Sequence, residues 1–256
     1  MDEKLLLEVA VLAGEIMLSS GAETYRVEDT MDHILKKGSK QNVDTLALMT
    51  GIIATINGKE EQPLTRMRTV NRRSTNLGKI MRVNDISRKF CEDKITLHEA
   101  KEMLTNMEGR SYSRMTYNLA MSGVAVGFVV MFGGTLWDVL AGALVGFLLG
   151  LIVTGTKLGR FRAITSDILS GAGISGATLL FNCIAANKLN TDIIIISSMM
   201  SIVPGVAVTN AIRDTLHGDY LSGSARILEA FVKAASIALG VGAGMMLIKM
   251  ISGGAL

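Results

Sequence analysis

The chain has 256 residues and a mean hydropathy of +0.39, and only 19% of its residues are charged. A formal net charge of +3 without any basic block argues against a nucleic-acid-binding protein. Cys91 and Cys183 form neither a CxxC motif nor a paired framework. The sequence therefore predicts no disulfide, no metal site and no cofactor.

The charged residues divide the chain into two parts. Before Leu119 lie 18 of the 26 basic residues and 17 of the 23 acidic residues, which is typical of a solvated folded domain. From Leu119 onward the remaining charges stand in short clusters between long apolar runs, as in chain segments that lie in lipid. We therefore predict an α-helical integral membrane protein in which a cytoplasmic α+β domain, residues 1–114, precedes a transmembrane bundle, residues 115–256.

The periodicity of the first part predicts helices around a small sheet. Apolar residues recur at three- and four-residue steps from Leu5 to Met17, which indicates an amphipathic helix ending between Ser19 and Gly21. A second helix is predicted to begin after Thr24 and to stop at Gly38. The other predicted elements are a strand at 46–56 ending in an Asn57-Gly58 turn, a partner strand at 65–70, and helices at 77–91 and 97–107, the last with a Thr96/Glu99 capping box.

The segment SGAETYRVED, residues 20–29, is dense in polar groups at the start of the second helix. Its candidate docking or gating residues are Glu23, Thr24, Tyr25, Arg26 and Glu28. One interpretation is a helix N-terminus whose acidic first turn complements the helix dipole and whose arginine pairs locally. The other is a polar patch at a cytoplasmic entrance to the membrane part. Sequence spacing does not separate the two.

Five apolar stretches are each long enough, or nearly so, for one membrane crossing of about 20 residues. They cover about 115–137, 139–156, 168–187, 193–212 and 230–250. The second stretch carries Gly142, Gly146 and Gly150 on one helical face, a pattern that predicts close helix packing.

The basic residues between these stretches predict the orientation. The connection at 157–167 holds three of them, and Arg213 and Arg226 lie between the fourth and fifth stretches. The connections at 133–138 and 186–192 hold none and one. The positive-inside rule then places the N-terminus in the cytoplasm and, after five crossings, the C-terminus outside.

The fourth stretch contains Pro204 and Gly205, and this pair predicts a broken helix. Proline removes a backbone hydrogen bond, and exposed backbone at membrane depth is tolerated only against protein or a water-filled cavity. The predicted substrate-site residues are this pair and the polar residues that follow it: Asn210, Arg213, Asp214, Asp219, Arg226 and Glu229. The alternative is a solvated cytoplasmic turn in which Glu229 pairs with Lys233.

Two segments resemble the N-terminal portion of the threonine/serine exporter family. They are SGAETYRVE at 20–28 and VPGVAVTNAIRDTLHGDYLSGSARILEA at 203–230. The resemblance implies export of small hydroxy amino acids from a bacterial cell through its inner membrane or, in split relatives, of a dicarboxylate such as succinate. Fused family members continue into further spans after the fifth. The resemblance therefore also implies a second small multi-span membrane subunit as partner, beside the lipid bilayer and a small-molecule substrate.

Three function classes compete for this sequence. A proton-coupled secondary exporter is favoured over a nucleotide-driven pump because the chain has no GxxxxGK[ST] loop for a nucleotide. A membrane-anchored enzyme is disfavoured because neither GxSxG nor HExxH is present, and we predict that the protein is not an enzyme. A sensor or assembly subunit that uses its spans only as anchors would need neither a broken helix nor a dense polar hairpin.

Overall fold

The computed structural model describes residues 2–39, 42–57, 62–71, 73–107 and 112–251. Its elements are α1 (Glu3–Ser19), α2 (Thr24–Gly38), β1 (Asn42–Leu48), β2 (Gly51–Asn57), β3 (Leu64–Thr69), α3 (Leu77–Cys91), α4 (Leu97–Thr105), α5 (Arg114–Met131), α6 (Leu136–Leu158), α7 (Ala163–Ile184), α8 (Thr191–Met199), α9 (Gly205–Leu216) and α10 (Tyr220–Ile251). They form two compact units. The first unit is Met1–Arg110 with Gly205–Leu228, and the second is Ser111–Pro204 with Glu229–Leu256.

The first helix, α1, lies at the centre of the first unit. Its N-terminus is capped by the Asp2 carboxylate, which accepts the first free backbone N–H groups. At Gly14 a side chain would meet both Met31 of α2 and Ile52 of β2, so α1 packs closely between that helix and the sheet. The predictions of α1 to α4 are confirmed to within two residues, including the Thr96/Glu99 capping box.

The strand predicted at 46–56 is wrong, because this segment forms two strands. β1 and β2 pair antiparallel with Leu48 opposite Gly51, which leaves a two-residue turn between them. Across such a turn an odd-numbered residue faces an even-numbered one, as Ala47 faces Ile52 on the buried side. Leu46 keeps the even-numbered alternation but is 46% exposed. The partner strand is confirmed as β3, antiparallel to β2, whereas the turn predicted at Asn57-Gly58 lies partly outside the described residues.

The second unit is built on close helix contacts, and the predicted glycine face is part of them. Side chains at Gly142, Gly146 and Gly150 of α6 would collide with Val129, Ala125 and Asn118 of α5 respectively. The expected close packing is therefore confirmed, and its partner is a helix of the same chain. The buried residues of this unit's core are Met121, Ala141, Val145, Leu149, Ile174, Ile194, Ile195, Ile202 and Ile237.

Three helices in the described ranges are long and apolar enough to cross a membrane: α6, α7 and α10 over Tyr220–Met250. α5 is not among them, and its first turns are polar, with Arg114, Thr116 and Asn118. The fourth predicted span is not among them either, because it is divided into α8, with 9 residues, and α9, with 12. The protein is therefore mostly helical with apolar spans, as predicted for a membrane protein, and three spans rather than five are identified by length and composition.

The predicted helix break at Pro204 and Gly205 is confirmed. α8 ends at Met199 and α9 begins at Gly205, with Pro204 directly before it. In the intervening turn the backbone N–H groups of Ile202 and Val203 both donate to the carbonyl of Met199, at 3.0 Å each. The break separates α9 from the apolar half-helix before it, and α9 belongs to the first unit.

Candidate functional site

The turn after α1 leaves two backbone carbonyls free to accept side chains. Gly21 has φ +84, a left-handed conformation that glycine adopts without a steric penalty, and it ends α1. The carbonyl of Gly21 accepts the side-chain amide of Asn210 at 2.7 Å. The carbonyl of Ala22 accepts Nη2 of Arg226 at 2.7 Å. α9 and α10 are thereby bound to this turn by direct hydrogen bonds.

The carboxylate of Asp214 caps the N-terminus of α2. Its Oδ1 accepts the backbone N–H of Thr24 at 3.1 Å and the hydroxyl of the same residue at 3.0 Å. Glu23, the residue before the helix, makes no side-chain cap of its own. A carboxylate at a helix N-terminus also interacts favourably with the helix dipole, by about 0.3–1 kcal/mol. The acidic group that complements this helix therefore comes from α9, 190 residues away.

Asp214 and Arg226 form a buried ion pair at the centre of these contacts. Nε of Arg226 lies 2.8 Å from Oδ2 of Asp214, and the two side chains are 6% and 0% exposed. Within the described residues, neither of these two atoms completes a hydrogen bond of acceptable geometry. Burial raises the pKa of Asp214 above its ordinary value, and Arg226 and the Thr24 contacts offset only part of that effect. The pair is therefore desolvated and not fully satisfied.

A second ion-pair group, formed by Glu23 with Arg213 and Arg26, lies beside the first. Oε1 of Glu23 accepts Nη1 of Arg213 at 2.6 Å, and its Oε2 lies 3.5 Å from Nη1 of Arg26. Burial alone would raise the pKa of Glu23. Its own backbone N–H, the hydrogen bond from Arg213 and the charge of Arg26 outweigh burial and lower that pKa. Arg213 is half exposed, so this group forms the solvent-facing rim.

Two further carboxylates complete the site. Oδ1 of Asp219 accepts the backbone N–H of Ser222 at 3.0 Å, at the start of α10. Oε1 of Glu28 accepts the backbone N–H of Ala47 in β1 at 2.8 Å. Burial raises the pKa of Glu28, and the nearby charges of Asp219 and Asp214 raise it further. For Asp219 burial acts in the same direction, but hydrogen bonding from Ser222 and the charge of Arg226 lower its pKa below the ordinary value.

An aromatic stack closes one side of the rim. The rings of Tyr25 and His217 lie parallel, with centroids 4.1 Å apart and an interplanar angle of 3°. Nδ1 of His217 lies 2.9 Å from the carbonyl of Arg213, which fixes the ring over α9. The two rings cover each other's faces, and the stack involves none of the charged groups in the two ion-pair groups.

Comparisons with known proteins identify the family of this chain. Residues 8–248 match the family model described as "Putative threonine/serine exporter". The chain belongs to the threonine/serine exporter family. It is also 24% identical over 244 residues to the "Probable threonine/serine exporter" of Mycobacterium tuberculosis (strain ATCC 25618 / H37Rv), and the match covers 92% of this chain and 45% of that relative. The chain thus spans about half of the relative's length. No solved structure matches.

In this exporter-family chain the structure joins the two polar segments that the sequence left separate. The residues brought together in the first unit are Glu23, Thr24, Tyr25, Arg26, Glu28, Asn210, Arg213, Asp214, Asp219 and Arg226. Gly205 starts α9 in the same unit, whereas Pro204 and Glu229 belong to the second unit, and their place in a site stays a prediction. In the described ranges, His, Cys, Asp and Glu form no group of three or more that could hold a metal ion.

The sequence analysis missed the backbone part of this candidate site. The carbonyls of Gly21 and Ala22 bind side chains of α9 and α10, and a carbonyl leaves no mark on composition or spacing. It also missed Gly223, where a side chain would meet Thr215 and, at 3.1 Å, the carbonyl of Ala211. This close approach of α10 to α9 brings Arg226 within reach of Asp214. A glycine three residues before a candidate arginine was the available signal.

Proposed function

We propose that the chain is a subunit of a secondary exporter for small carboxylated metabolites of the threonine and serine type. Membership in an exporter family supports transport across a membrane. The observation that carries the substrate class is the buried Asp214–Arg226 pair, 2.8 Å apart with unfilled hydrogen-bonding capacity on both partners. An α-amino acid is a zwitterion with the same two charges close together. Its carboxylate can replace Asp214 on the guanidinium, and its ammonium can replace Arg226 on the carboxylate.

This arrangement supports exchange of substrate against a proton. A substrate ammonium needs Asp214 ionised, whereas a proton on Oδ2 of Asp214 removes the negative charge that holds the ammonium. Proton and amino acid therefore compete for one carboxylate, as an antiporter requires. The raised pKa of Asp214 moves proton uptake toward neutral pH, where a membrane proton gradient can drive it. The half-exposed Arg213, paired with the buried Glu23, forms the rim through which a substrate from the cytoplasm would approach.

The alternative substrate is a dicarboxylate such as succinate. Two guanidinium groups, that of Arg213 beside Glu23 and that of Arg226 beside Asp214, could each bind one carboxylate. A dicarboxylate would have to displace Glu23 and Asp214 from these arginines, leaving both carboxylates uncompensated unless they take up protons. A zwitterion leaves no such excess negative charge, which is why we favour the amino acid.

Efflux of preloaded metabolites tests this function. We expect cells that produce the exporter to release threonine and serine faster than cells without it, and a proton ionophore should abolish the difference. Faster release of succinate alone would show that the substrate is the dicarboxylate and not the amino acid. Release that is unchanged by the ionophore would contradict proton coupling.

We also propose that a second small multi-span membrane subunit completes the transporter. The match covers 45% of the Mycobacterium relative, so the rest of that protein has no counterpart in this chain. In an efflux assay with proteoliposomes, the purified chain alone should transport poorly. Full transport by the single chain would reject the second subunit.

The proposed arrangement in a bacterial inner membrane has five crossings. α6, α7 and α10 supply three of them. We assign the other two to α5, as the first span, and to α8 with the first part of α9, as a broken fourth span at about 193–212. The cytoplasmic domain then precedes the bundle, and the chain leaves the membrane on the outer side.

Reporter fusions test this topology. A periplasm-dependent reporter such as alkaline phosphatase, fused after Ile251, should be active, and the same reporter after Lys157 should be inactive. The expected pattern follows from basic residues on the cytoplasmic side and an odd number of crossings. An active cytoplasmic reporter such as β-galactosidase after Ile251 would rule out five spans with the N-terminus inside.

A further inference from the structure

A cleft between α2 and α3 is separate from the contacts of the Asp214–Arg226 pair. It consists of two adjoining pockets of about 450 and 310 Å³ that share Arg26, Asn84 and Arg88 as lining residues. These volumes lie at the lower end of the range for small-molecule sites, about 300–1,000 Å³. Both pockets lie wholly within the first unit.

The cleft presents two guanidinium groups with little internal compensation. In the described part of the chain, the guanidinium of Arg88 makes no hydrogen bond, and that of Arg26 has only the 3.5 Å contact to Glu23. The acidic lining residues are each placed beside a basic side chain of their own helix. Asp29 lies 3.3 Å from His33, and Asp85 lies 2.8 Å from Lys89. Glu92, whose charge also interacts with Arg88, is paired with Lys94 at 2.6 Å.

The lining has an apolar end and a polar end. Leu77, Ile80 and Met81 line the larger pocket, and the side chains of Leu77 and Met81 are largely exposed at 64% and 69%. The smaller pocket is lined by polar residues, with Asn84 and the arginines between the two ends. An amphipathic cleft with guanidiniums at its middle fits a ligand that has a carboxylate head and a short apolar body.

We propose that this cleft binds a small carboxylate with an apolar body, held by Arg26 and Arg88. The site lies outside the proposed transport pair and does not depend on the substrate assigned there. Its occupation would draw Arg26 away from Glu23, because the existing contact of 3.5 Å is long for a charge-assisted hydrogen bond. Glu23 would then be left to Arg213 alone. The cleft is thus a second carboxylate site that can influence the rim of the first.

Cys91 lines the smaller pocket and reports on its occupation. The experiment uses the purified full chain in detergent, with Cys183→Ser so that Cys91 is the only thiol. The rate of alkylation by a maleimide is measured at mildly alkaline pH, because burial raises the pKa of the Cys91 thiol. The probes are 3-methylbutanoate, the uncharged 3-methylbutanol and inorganic phosphate.

We expect 3-methylbutanoate to slow the labelling of Cys91 saturably, by about tenfold at ten times its Kd, since only the free fraction reacts. The alcohol should not protect at the same concentrations. Arg88→Gln should raise the concentration needed for protection by about tenfold or more, because a charge-assisted contact is lost. Arg82→Gln removes the same charge from an exposed position on the same helix that does not line the cleft, and should leave protection unchanged.

Three outcomes would overturn the proposal. Equal protection by the alcohol would show an apolar site without carboxylate recognition, and protection by phosphate alone would assign the cleft to phosphate. Unchanged protection in both Arg88→Gln and Arg26→Gln, with thermal unfolding like that of the parent, would remove the arginines from the site. Transport activity enters none of these readouts, so failure here leaves the proposed export function standing.

Discussion

Arg226→Gln is expected to lower the free energy of unfolding by about 3 to 5 kcal/mol at neutral pH, the range for removing one partner of a buried ion pair. The variant leaves the fully buried Asp214 without the guanidinium that lies 2.8 Å away, and it also removes the hydrogen bond to the carbonyl of Ala22. The measurement is the apparent Tm of the purified protein in detergent. Arg213→Gln is the matched control. Its side chain is 53% exposed, so an effect of only about 0 to 1 kcal/mol is expected.

The loss of stability caused by Arg226→Gln should become smaller as the pH is lowered. Asp214 has a raised pKa in the folded protein, so the folded state binds its proton more tightly than the unfolded state does. Stability linked to this group is therefore greatest below the ordinary pKa of 3.8 and falls as the pH rises through the folded value. Without Arg226 the pKa of Asp214 in the folded protein rises further. The pH range over which the stability linked to Asp214 is lost therefore becomes wider. The Tm difference between wild type and variant should shrink as the pH is lowered from neutral, and a pH-independent difference would contradict this account.

Measurements of export distinguish a transport role of the Asp214–Arg226 pair from a structural one. Asp214→Asn should cost less stability than Arg226→Gln, because the raised pKa indicates that the fold already favours an uncharged group at position 214. The double variant Asp214→Asn/Arg226→Gln removes both charges and should regain much of the Tm. We expect all three to reduce export by at least about tenfold, or 1.4 kcal/mol. Asp192→Asn, in a predicted outer connection, should leave export unchanged. Restored export in the double variant would make the pair purely structural.

Local signals in the sequence predicted helices α1 to α4 of the first unit well. Caps and three- to four-residue periodicity depend on neighbours along the chain, so α1 to α4 could be located from their own residues. The same kind of signal was overlooked at α6. Thr135 and Asp138 form a capping box that starts the helix at Leu136, whereas the span was predicted from 139. The segment of β1 and β2 was wrongly predicted as one strand, because apolar alternation does not show where a two-residue turn reverses the register.

The candidate site could be predicted only as two separate halves. Charge density marked both SGAETYRVED and the hairpin after Pro204, but the contact between Thr24 and Asp214 joins residues 190 positions apart. No periodicity or spacing encodes a contact of that range. The local interpretation of the first segment, with an acidic residue of the same turn complementing the helix, was therefore incomplete. Arg26 does pair locally with Glu23, while the helix N-terminus takes its carboxylate from α9.

In the second unit, Gly240→Ala is expected to destabilise the protein and Gly242→Ala to leave it unchanged or slightly more stable. A Cβ at Gly240 would lie 2.9 Å from both the Cα and the carbonyl carbon of Ile168, and closer still to the carbonyl oxygen. These atoms are backbone, so no rotamer change can relieve the clash and α7 and α10 must move apart. Overpacking of this kind costs about 1 to 3 kcal/mol, and a backbone clash belongs at the upper end.

Gly242, two residues further along the same helix, is the control. A Cβ there has nothing within 4 Å, so alanine adds only helix propensity, worth about 0.5 to 1 kcal/mol in stability. The two substitutions add the same methyl group to the same helix and should shift the apparent Tm in detergent in opposite directions. Gly244→Ala, whose Cβ would lie 2.9 Å from Cα of Ala172, should behave like Gly240→Ala. Equal Tm values for the variants at 240 and 242 would refute the close crossing of α7 and α10, because only that crossing distinguishes the two positions.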